Sequence, residues 1–219
     1  MKFSKIPAAT ITRLSLYSRN LEELVSEDVK VVSSEKLAER SGVNSAQIRK
    51  DLAYFGEFGV RGVGYYVRDL LFEIKKILGL NKVWNLGLVG IGNLGSALLA
   101  HENFARQGYI FVAALDNDPK KIGKKLPNGL VVDDIVTLKQ VKARANIEIG
   151  VISAPANKAQ EVANRLIEAD IRAILNFAPV HIQVPKGYSV ENVDFSVKLD
   201  NLAYHLTTDN LTRVPMPTA

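Results

Sequence analysis

The sequence predicts an α/β chain built in two parts, and three observations carry that expectation. Residues 1–80 read as helices followed by a glycine-rich tail. From about residue 83, apolar strand-like runs alternate with helical stretches, the pattern of βαβ units feeding a parallel sheet. Between the first of those strands and the first of those helices stands "GIGNLG", Gly90 to Gly95. The expected architecture is an N-terminal winged helix-turn-helix domain (1–80), then a Rossmann-type doubly wound parallel sheet (81–196). Residues 197–219 follow as a terminal helix and tail.

The elements of the first part follow in order. "ATITRLSLYSRNLEELV" places Ile11, Leu14, Tyr17, Leu21 and Leu24 at helical spacing, so they form one apolar face. In "SSEKLAERSGV", Ser34 is a candidate N-cap, Leu37 and Ala38 turn inward, and Gly42 supplies a turn of positive φ. In "NSAQIRKDLAYF", Asn44 caps a helix and Gln47 is placed to reach back in a capping box. Ile48, Leu52 and Phe55 then face the core.

The opposite side of that helix holds Ser45, Ala46, Arg49, Lys50 and Ala53. Its small residues permit close approach to a surface. Arg49 can fork onto guanine or clamp a phosphate, and Lys50 offers a point charge. "GEFGVRGVGYYV" reads as a β-hairpin wing with Arg61 near its tip. Two basic residues alone describe an ordinary solvated face. The succession of helix, glycine turn, capped basic helix and glycine-rich hairpin is what points to double-stranded DNA. The candidate contacts are Ser45, Ala46, Gln47, Arg49, Lys50, Tyr54, Arg61 and Gly62.

In the second part, Val83 to Val89 is an apolar strand and "SALLAHENFARQ" a helix. Gly90 permits the tight turn between them, Gly92 lets the backbone approach a pyrophosphate, and Gly95 lets helix and strand pack closely. Ile91, Asn93 and Leu94 complete the loop, whose unpaired N–H groups at the helix start favour an anion. The next strand, "YIFVAALD", ends in Asp116, placed to bind ribose hydroxyls and to repel a 2′-phosphate. NAD+/NADH is therefore expected over its 2′-phosphorylated form. Lys120, Lys121, Lys124 and Lys125 follow and read as a solvated loop, although each is able to hold a phosphate. "IEIGVISAP", "IRAILNFAP" and "YSVENVDF" supply further strands. Ser153, Ala154 and Pro155, and likewise Ala178 and Pro179, are candidate nicotinamide-side loops at strand ends.

Composition narrows the function. The chain has 219 residues, enough for two cores, and no cysteine, which excludes disulfides, thiolate nucleophiles and zinc fingers. Its three histidines show no metal-ligand spacing, so no metal is expected. The net charge of +5 is permissive for a polyanion partner. No apolar run approaches a membrane span, and "MKFSKIPAAT" lacks the apolar core of a signal peptide, so a cytoplasmic location is expected. A dehydrogenase needs a proton donor beside the hydride site, and no Tyr-x-x-x-Lys pair marks one. "SVKLDNLAYHLTTDNL" reads as an amphipathic helix with Val197, Leu199, Leu202, Leu206 and Leu211 mostly on one side. It can pack on its own domain or serve the dimer that a two-fold DNA site requires. The economical reading is a regulator whose DNA affinity depends on the bound nucleotide. The alternatives are a small NAD-dependent oxidoreductase with an N-terminal helical dimerisation domain, and a scaffold that binds DNA non-specifically.

The chain also resembles the Rex family of redox-sensing transcriptional repressors nearly end to end. The resemblance rests on "SKIPAATITRL", "SSEKLAERSGVNSAQIRKDLAYFGEFGVRGVGYYV", "GIGNLGSALL", "ILNFAPV" and "VENVDF", in that order. It implies a non-enzymatic homodimer with an exchanged C-terminal helix, repressing genes of NADH-reoxidising metabolism and released from its operator by NADH. It further implies that Arg49 and Lys50 lie in the recognition helix, Arg61 and Gly62 in the wing, and Asp116 at the adenosine ribose. Phe195 would enter the partner near the nicotinamide, and Asp194 would pair with Arg13 in one of two states. Where family members often carry Tyr in this switch network, the chain has His101, in the helix after the glycine loop. His101 is able to hydrogen-bond in the place of that Tyr, or to lend the response a pH dependence. The tail after Asn210 matches no segment of the family.

Overall fold

The structure, a computed structural model, describes residues 6–212 and divides into two units between Lys82 and Val83. The first unit opens with α1 (Ala8–Ser26), which buries Leu14, Tyr17, Leu21 and Leu24. Ile11, expected on that face, is exposed instead. The buried position of the first turn is Thr10, whose hydroxyl donates to Asp51 at 3.1 Å.

The two-residue strand β1 (Val31–Val32) leads into α2 (Ser34–Ser41). Ser33, not Ser34, caps α2: its backbone is extended and its hydroxyl accepts from Lys36 N–H at 3.2 Å. Gly42, with φ of 64°, closes the helix in the left-handed conformation that glycine tolerates. For α3 (Ser45–Ala53), Asn44 is the cap and accepts from Gln47 N–H at 2.8 Å. The return half of the expected capping box is missing, because the Gln47 amide donates to Asp51 at 2.8 Å.

The wing is slighter than the sequence suggests. Its turn is one antiparallel bridge between Val60 and Gly64, with Arg61 and Gly62 at the tip. The following strand β2 (Tyr65–Tyr66) pairs with β1, ahead of α2 in the chain. A two-residue strand shows no periodicity, so this pairing left no sequence signal. Helix α4 (Val67–Ile77) completes the unit by burying Val67, Leu70 and Ile74 in the same core as Ile48 and Leu52.

The second unit is a six-stranded parallel sheet. Its elements run β3 (Trp84–Val89), α5 (Asn93–Ala100), α6 (Asn103–Arg106), β4 (Tyr109–Asp116) and β5 (Val132–Asp134). A 3-10 turn (Ile135–Thr137) then leads to α7 (Leu138–Ala145), β6 (Ile149–Ile152), α8 (Ala156–Glu168), β7 (Ala173–Asn176), β8 (Ser189–Asn192) and α9 (Phe195–Thr212). The strand order is β5-β4-β3-β6-β7-β8, and every pairing is parallel. The order reverses between β3 and β6, where a doubly wound sheet opens its ligand crevice at the C-terminal strand ends. Alternate residues feed two cores: Leu86, Leu88 and Ala114 on one face, Val89, Ala113 and Leu115 on the other.

Three features go beyond what the sequence predicts. Strand β5, only three residues long, was not legible as a strand. The helix expected through "SALLAHENFARQ" breaks at His101, whose extended backbone (ψ 101°) separates α5 from α6. The break lets the His101, Phe104 and Phe111 rings meet edge to face at 5.6 Å centroid spacing, which seats the short α6 against β4. Finally, α9 does not bury its apolar side chains in its own unit: Phe195 is 61% and Leu206 67% exposed, with Val197, Leu199, Leu202 and Tyr204 similarly bare. The Leu211 side chain and the tail from 213 lie outside the described residues.

Candidate functional site

The glycine loop is shaped by bonds from three strand ends. Gly90 N–H donates to Leu115 O at 2.8 Å, and the Ser153 hydroxyl donates to Gly90 O at 2.7 Å. Each glycine has its own reason. A Cβ on Gly95 would lie 2.1 Å from Gly90 O, and one on Gly90 would meet the Ser153 and Ala154 backbone at 2.9 Å. At Gly92 nothing lies within 4 Å, so that backbone is open to an incoming group. Ile91 contributes only its backbone, since its side chain is buried, while Asn93 and Leu94 are exposed in the first turn of α5.

Asp116 organises the other wall. One carboxylate oxygen accepts from Ile91 N–H at 2.7 Å and from Lys121 Nζ at 2.9 Å; the other accepts from Asp118 N–H at 2.9 Å. Burial works to raise its pKa, yet these donors outweigh it and hold the carboxyl below the ordinary range. Around it lies a cavity of about 570 Å³ lined by Gly90, Gly92, Asp116, Lys121, Ser153–Pro155 and Lys158. That is ample for a nucleotide half. Lys121, read from sequence as solvated loop, is thus drawn into the crevice. Lys158 escaped notice; its signal was its place in the first turn of the helix that follows "SAP".

Ala178 and Pro179 line a second cavity, of about 370 Å³, together with His181, Asp194 and Lys198. Asp194 accepts from the Ser196 N–H (2.9 Å) and hydroxyl (2.6 Å) ahead of α9. The resemblance pairs Arg13 with Asp194 in one of two states; here Arg13 is held inside the N-terminal unit. It pairs with Asp51 of its own unit, Nε at 2.6 Å and Nη2 at 2.7 Å. In this structure Arg13 and Asp194 therefore each bond within their own unit.

Asp51 is the centre of the N-terminal unit. Its fully buried carboxylate also takes the Tyr17 hydroxyl at 2.9 Å, the Thr10 hydroxyl and the Gln47 amide, so α3 is bolted to α1. Burial alone would raise its pKa, but Arg13, Tyr17, Gln47 and Thr10 hold it down to about 2. An acid beside Ile48 and Leu52, on the core side of α3, was the signal for this network, and it was missed. Outward from α3 project Ala46, Arg49, Lys50 and Ala53, with Tyr54 at its end; Ser45 is half-buried. Gln47 is committed to Asp51 rather than free on that face. Arg49 donates to the Ser34 hydroxyl at 2.7 Å, which fixes its guanidinium over the start of α2, while Lys50 is exposed. No His, Asp or Glu cluster among the described residues could hold a metal, and none of the described helices is long and apolar enough to cross a membrane.

A winged unit presenting a basic helix, joined to a parallel sheet with a glycine-loop crevice, defines a class: DNA-binding regulators that take a nucleotide ligand. Residues 5–53 match the family model for a putative DNA-binding protein N-terminus, and residues 81–180 match the CoA binding domain. The chain is 61% identical over 207 residues to the redox-sensing transcriptional repressor Rex of Syntrophobacter fumaroxidans, covering 94% of this chain and 99% of that one. It is 52% identical over 209 residues to that of Carboxydothermus hydrogenoformans, covering 95% and 100%. A crystal structure of RSP in complex with β-NAD+ and operator DNA superposes with a TM-score of 0.89 at 40% identity, over 96% of each chain. A structure of RSP in complex with β-NADH gives 0.85 at 38% identity, over 96% of this chain and 98% of that one. The chain belongs to the Rex family of redox-sensing transcriptional repressors.

Proposed function

We propose that this chain binds operator DNA as a homodimer and leaves it when NADH replaces NAD+, derepressing genes whose products reoxidise NADH. The observation that carries the reading is the pairing, in one chain, of a DNA-reading unit with a dinucleotide crevice. RSP, its relative, has been crystallised with β-NAD+ on operator DNA and with β-NADH. Arg49, Lys50 and Tyr54 on the α3 side, with Ser45, Ala46, Arg61 and Gly62, would contact DNA. Gly90 to Gly95 would hold the pyrophosphate, with Lys121 and Lys158 flanking it. Asp116 would hold the adenosine ribose, and Ser153–Pro155, Ala178 and Pro179 the remainder, with Phe195 reaching in from the partner. The open backbone at Gly92 and the close approach at Gly95 suit that ligand. When bound, the nicotinamide supplies a change of charge and ring shape between its two redox forms. The protein's task is to bind the two forms with different affinity in its two conformations.

The bare face of α9 supports a homodimer made by exchanging that helix. Arg13, His101 and Asp194 remain candidates for the switch, with Arg13 leaving Asp51 in one state. We read the chain as a cytoplasmic regulator and not an oxidoreductase, in keeping with relatives that are named repressors.

The test is fluorescence anisotropy of a labelled palindromic operator, with NADH titrated against a fixed excess of NAD+. Release by NADH, reversed by further NAD+, is the expected result; binding indifferent to both would overturn the reading. Gly95→Ala gives a second check. Its new methyl group would press on Gly90 O, so NADH affinity should fall at least about tenfold while Trp84, the only tryptophan, reports a folded second unit. Unchanged NADH fluorescence titrations would place the ligand elsewhere.

A further inference from the structure

Asn176 ends β7 and is fully buried. Its side-chain amide joins two segments that are otherwise separate. The Oδ1 atom accepts from Ala178 N–H at 3.0 Å. The Nδ2 atom faces three oxygens: Ala178 O at 3.0 Å, Val180 O at 2.9 Å and Asn192 Oδ1 at 2.9 Å. The orientation is fixed by these partners, since a flipped amide would set its oxygen against three others. The main chain adds a further tie, Val193 N–H to Asn176 O at 2.8 Å.

The first segment, Ala178–Val180, is the ligand-side loop proposed above. The second, from Asn192 to Asp194, runs directly into α9. An amide nitrogen carries two hydrogens, so three acceptors must share them. A shift in the loop that strengthens one of these bonds weakens another, because the Asn176 amide that donates them is itself fully buried. The link is therefore redistributable, and it stands beside the parallel β7–β8 pairing that sets Asn176 opposite Asn192.

We infer that Asn176 is a positioning residue that couples occupancy of the Ala178–Pro179 loop to the setting of α9, through its bond to Asn192. This rests on the proposed function, which places the nicotinamide at that loop and the dimer contact on α9. Asn192 also lines the cavity beside Ala178 and Pro179, so the link is read in saturating NADH, where a change in ligand affinity does not enter.

Asn192 is exposed, so Asn192→Ala removes one acceptor without opening the core. Asn192→Asp keeps an oxygen there and is the conservative variant. The readout is the coupling factor, the ratio of operator Kd in saturating NADH to that in NAD+, measured on the full chain. Couplings of this kind usually span about 5–150-fold. Asn192→Ala should cut the factor at least about fivefold, with operator affinity in NAD+ unchanged, and Asn192→Asp should restore it. A wild-type factor in Asn192→Ala, or a loss that Asn192→Asp does not restore, would overturn the inference. A wild-type protein whose operator affinity ignores NADH would overturn the functional reading and this inference with it; the two failures are distinct.

Discussion

Asp51→Ala should destabilise the N-terminal unit by about 3 kcal/mol, the low end for breaking a buried ion pair. The low end applies because Arg13 is 25% exposed and can turn to water, whereas Tyr17 is fully buried and its hydroxyl loses its acceptor. The nine-residue α3 is too short to persist alone, so its bolt to α1 fixes where it points. Far-UV circular dichroism during urea unfolding reads the helices of both units and Trp84 fluorescence reads the second alone, so the part of the dichroism transition that Trp84 does not follow should move to lower urea. A shift of both transitions together, or of neither, would contradict this assignment. The same carboxylate gives a pH signature. Its folded pKa, about 2, lies below its ordinary value of 3.8, so its stabilisation is complete above about pH 4 and is lost as pH falls toward 2. Asp51→Asn should flatten that part of the acid-unfolding curve.

Lys50→Glu should abolish operator binding and leave NADH binding intact. Lys50 is exposed on the outward side of α3, beside Arg49. A well-placed contact to a base edge is worth about 1–3 kcal/mol, and a two-fold site uses it twice. Reversing the charge also sets a carboxylate against the phosphates, so the affinity should drop at least about 100-fold. Anisotropy with the labelled operator measures it. Unaltered operator affinity would remove α3 from the interface, and parallel loss of NADH binding would indicate damage to folding.

Much of this molecule was legible because its signals are local. The glycine loop, the apolar strand before it and Asp116 after it lie within one βαβ unit, where spacing and chemistry coincide. Asn44 announced α3 by the same kind of short-range rule. What escaped reading depends on distance or brevity. Arg13 and Asp51 are 38 residues apart, and nothing in either neighbourhood names the other. The β1–β2 pair and β5 are too short to show an alternation. Ser33 and Ser34 are equal candidates for a cap on chemistry alone, and tertiary structure chose between them by giving Ser34 to Arg49. The helix break at His101 follows from ring packing against Phe104 and Phe111, which no helical periodicity encodes.

The bare apolar side of α9 has a genetic consequence. On the proposed homodimer, a subunit whose Leu199, Leu202 and Leu206 are covered by another copy would not discriminate between healthy and damaged partners. In a cell expressing wild-type and Lys50→Glu alleles equally, random assortment leaves about a quarter of the pairs wholly wild type. On that reading the damaged allele would act dominantly, whereas an allele truncated before α9 would be recessive, because its product would not enter a pair.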